Sequence, residues 1–217
     1  MTDAEAEGFV LAQTLPRPAP LVPELTLRLA SEITPLWQAT EARLAASGLD
    51  PPYWAFAWPG GQALARHVLD HPSLVRGRTV LDFAAGSGIA AIAAARSGAG
   101  RAIAAELDPL ATAAARINAA ANRVRVETIT ADLCAAPPER WNVLLAGDVC
   151  YDARMTARVV PWLRDAAARG ATVLIADPGR AYLPRQGLEA LAAYDVAVSR
   201  ELEDQDVRRT VVYRLLP

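Results

Sequence analysis

Five carboxylates, Asp82, Glu106, Asp132, Asp148 and Asp177, each stand at or just beyond the end of a short apolar run, and two glycines, Gly86 and Gly88, follow the first of them. An apolar run that breaks into small residues and then opens a helix is a ligand cradle. Glycine lets backbone approach a bound molecule, and a helix N-terminus aims free N–H groups at it. Asp82 narrows the choice of ligand, because its charge would repel a pyrophosphate and suit a cationic amino group. Further along, Asp148 and Tyr151 stand three apart, and Asp177-Pro178-Gly179-Arg180 follows a later run.

The elements that must position these groups alternate along the chain. Apolar patterning predicts strands over 80–83, 101–105, 124–130, 141–147, 172–176, 196–200 and 210–215. It predicts helices over 62–69, 89–96, 110–121, 155–168 and, shorter, 186–193. Short loops between alternating elements imply a doubly wound α/β fold, a mostly parallel seven-stranded sheet wrapped on both faces. The last two strands have no room for a crossover and should close the sheet as an antiparallel hairpin. Ahead of this domain, taken as 51–217, residues 1–50 read as an N-terminal extension. Four prolines between Pro16 and Pro23 suggest an extended, poorly ordered leader, and the spacing from Ser31 to Ser47 suggests a cap helix. At the start of the domain lies Tyr53-Trp54-Ala55-Phe56-Ala57-Trp58-Pro59-Gly60-Gly61, whose aromatic residues read either as a core anchor or as the wall of a pocket.

Composition excludes several classes. With 53% hydrophobic and 21% charged residues, the chain can bury a core, and a net charge of −2 leaves no basic stripe for general nucleic-acid binding. No apolar run is long enough to span a bilayer, and residues 2–8 are acidic rather than basic, so neither a membrane segment nor a targeting peptide is expected. Cys134 and Cys150 are too few and too separated for a zinc site or a disulfide framework, and His67 and His71 lack carboxylate or cysteine partners. No metal is expected, and the location expected is a bacterial cytoplasm, with the chain as a monomer. Lysine is absent throughout, which removes any mechanism through a lysine of the chain's own.

Gly86-Ser87-Gly88-Ile89-Ala90-Ala91 fits the dinucleotide pattern G-x-G-x-x-A, and Glu106 follows Gly88 by 18 residues, where a ribose-binding acid belongs. A nicotinamide-dependent oxidoreductase is therefore one reading. Against it stand Asp82, the long segment ahead of the strand and the lack of a substrate domain after Asp177. The same residues resemble class I, seven-stranded S-adenosylmethionine-dependent methyltransferases. That resemblance implies that Asp82, Ala84, Gly86 and Gly88 hold the methionine part of the cofactor, Glu106 with Leu107 the ribose, and Asp132 with Leu133 the adenine. The family often has glycine where Ala84 stands. The segment Trp54 to Leu64, with Asp148-Val149-Cys150-Tyr151 and Asp177 to Arg180, resembles more narrowly the electron transfer flavoprotein beta-subunit lysine methyltransferases and their bacterial relatives, whose implied substrate is lysine side chains of that subunit.

Methyl transfer from a sulfonium needs a neutral nucleophile and careful positioning. A free lysine, with a pKa near 10.4, is neutral at pH 7 in only about one molecule in a few thousand, and desolvation would raise that fraction. On this reading Asp148 and Tyr151 accept hydrogen bonds from the amine, Trp58 and Trp54 form an apolar wall near the sulfonium, and Asp177 and Arg180 dock the substrate. A small-molecule amine methyltransferase shares the same cofactor site and differs only at the rim. A cofactor-binding module without activity would show damage at these positions, and none is present.

Overall fold

A computed structural model describes residues 1–30, 51–198 and 205–217. Its frame is a seven-stranded sheet. In chain order the strands are β3 (Thr79–Phe83), β4 (Arg101–Glu106), β5 (Glu127–Thr130), β6 (Val143–Gly147), β7 (Thr172–Asp177), β8 (Leu188–Ala197) and β9 (Val207–Leu215), arranged 5-4-3-6-7-9-8 across the sheet. The five strands from β3 to β7 are parallel, while β9 runs antiparallel to both β7 and β8. The order reverses between β3 and β6, and crevices for ligands open at the carboxyl ends of strands on either side of such a reversal.

Both faces of the central strands are covered, which is why they read as continuous apolar runs rather than alternations. On one face Val80, Val143, Leu145 and Leu174 pack against α2 (Pro59–Asp70) and α3 (Ile89–Arg96). On the other, Leu81, Leu144 and Val173 meet Val159, Leu163 and Ala166 of α5 (Ala153–Ala168). Helix α4 (Pro109–Ala121) lies beside α3 through alanines, and a Cβ at Gly88 would come within 2.8 Å of the Ala115 Cβ. Gly88 thus permits helix contact as well as its left-handed turn at φ +77°.

Residues 1–30 are built differently from the poorly ordered leader expected. Thr2 and Glu5 form a capping box that starts α1 (Asp3–Gln13), and β1 (Leu15–Ala19) pairs with β2 (Val22–Leu29) as a hairpin. The prolines are the reason the expectation failed. Pro16 and Pro18 alternate along an edge strand, where a missing N–H costs no ladder bond, while Leu25, Leu27 and Leu29 alternate inward from β2 into the core. The second edge of the hairpin is completed by side chains of α4. Thr26 N–H donates to Asn122 Oδ1 at 3.0 Å and Arg28 N–H donates to Asn118 Oδ1 at 2.7 Å. Asn122 Nδ2 returns a bond to Thr26 O at 2.6 Å, and Asn118 Nδ2 donates to Ser87 O, in the glycine turn, at 2.9 Å.

Of the helix expected over 186–193, residues 188–193 are instead the first part of β8. Its alanines and leucines favour a helix locally, but β9 supplies Thr210, Val211, Val212 and Tyr213 as a pairing edge, and tertiary pairing overrides propensity. A bulge between Ala190 and Ala192 lets Leu191 turn toward the core. Strand β5 begins at Glu127, later than the expected 124. The cap helix expected over 31–47 lies outside the described residues.

Candidate active site

At the carboxyl ends of β3, β4 and β6 the chain leaves a cleft of about 940 Å3. Its floor is the turn after β3. Ala84 and Gly86 both line it in the left-handed region, at φ +52° and +51°. For Ala84 that conformation costs roughly 1–2 kcal/mol relative to its ordinary regions.

Asp82 does not line the cleft. It is 3% exposed, beneath the turn, and its Oδ2 accepts the Ala91 N–H of α3 at 2.9 Å. Burial, and then the nearby Glu106 carboxylate, push its carboxyl up to about 8. The neutral Asp82 carboxyl thus occupies a free donor at the α3 N-terminus, one of those a phosphate would need. Gly88 likewise lies behind the surface, against Ala115.

Glu106 at the end of β4 faces the cleft and also braces the turn. Its Oε1 accepts Gly86 N–H at 2.8 Å and its Oε2 accepts Leu107 N–H at 3.0 Å. A carboxylate has about four acceptor sites, so two hydroxyls of a ribose can still be held. Leu107, 58% exposed, covers the adjoining wall. Asp132, after β5, caps the short turn Leu133–Ala135 by accepting Cys134 N–H at 3.1 Å, and its other oxygen pairs with Arg158 of α5. Leu133 and Cys134 complete that end. Two carboxylates beside an apolar wall, over a turn with one of its helix donors already taken, fit a nucleoside that carries positive charge.

The other end is organised by Asp148, which follows β6 at φ +57°. Its Oδ2 accepts Gly60 N–H at 2.6 Å and Gly61 N–H at 3.1 Å, and its Oδ1 faces Arg180 Nη2 at 3.4 Å. One oxygen therefore holds the start of α2 and one is turned toward the cleft. Burial lifts the Asp148 carboxyl to about 7, against the pull of Arg180. Arg180 lines the cleft and pairs there with Asp148. Asp177 is fully buried and does not line the cleft; its Oδ1 accepts Gly179 and Arg180 N–H at 2.7 and 2.6 Å, which fixes the loop that presents Arg180.

Aromatic rings close this end. Tyr151, 41% exposed, lies 5.5 Å from Tyr53 between ring centroids, and Tyr53 lies 5.7 Å from Trp58. Trp54 borders the cleft but is 2% exposed and packs edge-on with Phe9 of α1, so it is chiefly an anchor. Sequence reasoning passed over Tyr53, the paired amides of Gly60 and Gly61, and the arginines Arg154 and Arg158 on the rim. The first two stood in the motif already noted between 53 and 61; the arginines carried no local signal. Among the described residues no cluster of His, Cys, Asp and Glu could hold a metal ion.

Residues 63–147 match the family model of ribosomal protein L11 methyltransferase. The electron transfer flavoprotein beta subunit lysine methyltransferase of Xenopus laevis is 37% identical, over 97% of this chain and 87% of its own length. The Homo sapiens protein of the same name is 33% identical, over 99% of this chain and 84% of its own. Among solved structures, magnesium protoporphyrin IX methyltransferase of Synechocystis with S-adenosylmethionine bound shares the fold at a TM-score of 0.52 and 15% identity, covering 82% of this chain and 96% of that one. The chain belongs to the family of the electron transfer flavoprotein beta subunit lysine methyltransferases, class I enzymes that draw their methyl group from S-adenosylmethionine.

Proposed function

We propose that this chain methylates lysine side chains of the electron transfer flavoprotein beta subunit. The observation that carries the reading is near full-length similarity to enzymes of that name, at 37% identity over 97% of the chain. The site supports it. Bound S-adenosylmethionine supplies an electrophilic methyl group on a sulfonium. Glu106 is the residue for its ribose, Asp132 and Leu133 for its adenine, and the Ala84 to Gly86 backbone for its methionine part.

The incoming amine must lose its proton and point its lone pair at the donor. The aromatic rings at this end would shield a bound amine from part of its water, which disfavours the ammonium form. Asp148 Oδ1 and the Tyr151 hydroxyl are the acceptors that orient the nitrogen, and Trp58 provides the apolar wall. Because Asp148 Oδ2 is already bound to α2, the amine meets Oδ1, which it shares with Arg180. Two free thiols, one of them buried, suit a reducing compartment and support a cytoplasmic location.

The test is transfer of radiolabelled methyl from S-adenosylmethionine to purified electron transfer flavoprotein, with small amines offered in parallel. Label in the beta subunit, absent with Asp148→Ala, is the expected result. Label confined to small amines overturns the protein substrate, and stabilisation by NAD but not by S-adenosylhomocysteine overturns the cofactor.

A further inference from the structure

Tyr53 opens a single 3-10 turn, Tyr53–Ala55, and the two aromatic residues of that turn diverge. Trp54 goes into the core beside Phe9, while Tyr53 is presented to the cleft. Tyr53 is held from behind. The Trp58 indole Nε1 donates to Tyr53 O at 2.7 Å, and the two rings meet edge-on at 70°. In front, the Tyr53 ring packs against Tyr151 at 5.5 Å and 58°. Tyr151 sits on the loop between β6 and α5, 41% exposed, three residues after a left-handed Asp148. An exposed ring on a loop samples several rotamers unless a neighbour selects one.

We propose that Tyr53 is a positioning residue for Tyr151, transmitting the rigidity of the α2 entry to the side chain that orients the substrate amine. This rests on the lysine-methylating reading given above. The part of Tyr53 that meets Tyr151 is its ring, which also meets Trp58.

The experiment compares Tyr53→Phe, Tyr53→Leu and Tyr53→Ala in the full chain. Tyr53→Phe is expected to keep kcat within about twofold, and Tyr53→Ala to lower it about tenfold, the size expected for one lost aromatic pair. Affinity for S-adenosylhomocysteine should not change, and Tyr53→Ala combined with Tyr151→Ala should be no slower than Tyr151→Ala alone. Unchanged kcat in both Tyr53→Ala and Tyr53→Leu, or additive losses in the double variant, overturns the proposal.

A second readout does not use activity. With 3-fluorotyrosine at position 151, the fluorine resonance should move toward the solvent-exposed position in Tyr53→Ala and Tyr53→Leu but not in Tyr53→Phe. A resonance that ignores all three substitutions overturns the contact. A resonance that moves as expected in a protein that methylates no lysine upholds the contact and overturns the lysine reading instead.

Discussion

Gly60 donates its N–H to Asp148 Oδ2 at 2.6 Å, and a Cβ at position 60 would lie only 2.6 Å from that same oxygen and 2.5 Å from Ala176 O. The carboxylate that faces the reactive end of the cleft is therefore also the cap of α2, a helix that otherwise begins without a side-chain cap from its own N-cap residue, Trp58.

Asp148→Asn keeps an acceptor for the helix and tolerates the left-handed backbone, so it should fold normally. Asp148→Ala loses the cap and should cost about 1–2 kcal/mol. Gly60→Ala has no room and should cost about 1–3 kcal/mol. Denaturant titration of the three variants checks the order.

Catalysis should carry an acid limb near pH 7, where Asp148 protonates. Below that pH the carboxyl loses its pairing with Arg180 and its capacity as an anionic acceptor, so kcat/KM falls as the pH is lowered. The pH–rate profile of Asp148→Asn should lack this limb, at an overall rate reduced by about tenfold or more.

The buried Asp82 carboxyl titrates near 8, above its ordinary 3.8, so the folded protein holds a proton that the unfolded chain releases. Stability from this group is complete below about pH 4 and is lost as pH rises toward 8. Asp82→Asn keeps an acceptor for Ala91 N–H without the proton. Its melting temperature should fall less than that of the wild type across this window, and affinity for S-adenosylhomocysteine should stay within about threefold. Parallel melts across the pH series, together with calorimetric binding, decide both points.

At Ala84 a Cβ is held at φ +52°. Ala84→Gly should raise stability by up to about 1 kcal/mol, because glycine adopts this region without the steric penalty. Ala84→Val should do the opposite and weaken cofactor binding. Urea midpoints with and without S-adenosylhomocysteine provide the measurement.

Asn118 bridges the hairpin and the glycine turn with its two amide ends. Asn118→Asp retains the acceptor for Arg28 N–H and loses the donor to Ser87 O. Cofactor affinity should fall by about tenfold, as expected from one lost buried hydrogen bond. Asn122→Asp, which has no bond to the turn, should leave affinity unchanged. Isothermal titration of the pair separates the two roles.

The parallel core was legible because fully buried strands leave apolar runs, and each such run ended at a carboxylate or a turn. Glu106, Asp132 and Asp148, singled out with the help of the family resemblance, all line one cleft. Asp82 was misjudged for a physical reason: one residue before the end of a strand, a side chain points under the turn instead of over it. Tyr53 and Trp54 could not be told apart, since a single 3-10 turn sends one to the cleft and its neighbour to the core. Prolines 16 and 18 looked like disorder because edge-strand use leaves no local trace. Residues 186–193 looked helical because alanine says nothing about a neighbouring strand's edge.

The two asparagine side chains of α4 act on β2 as a neighbouring strand would, and one of them ends on the ligand turn. The hairpin of the first thirty residues is therefore tied by hydrogen bonds, through Asn118, to the turn beneath the cleft, though it is far from it in sequence. Whatever steadies Ser87 also steadies Arg28. Ligand binding at the carboxyl ends of the sheet should thus be felt as slower amide exchange in the amino-terminal hairpin, making that hairpin a built-in reporter of occupancy.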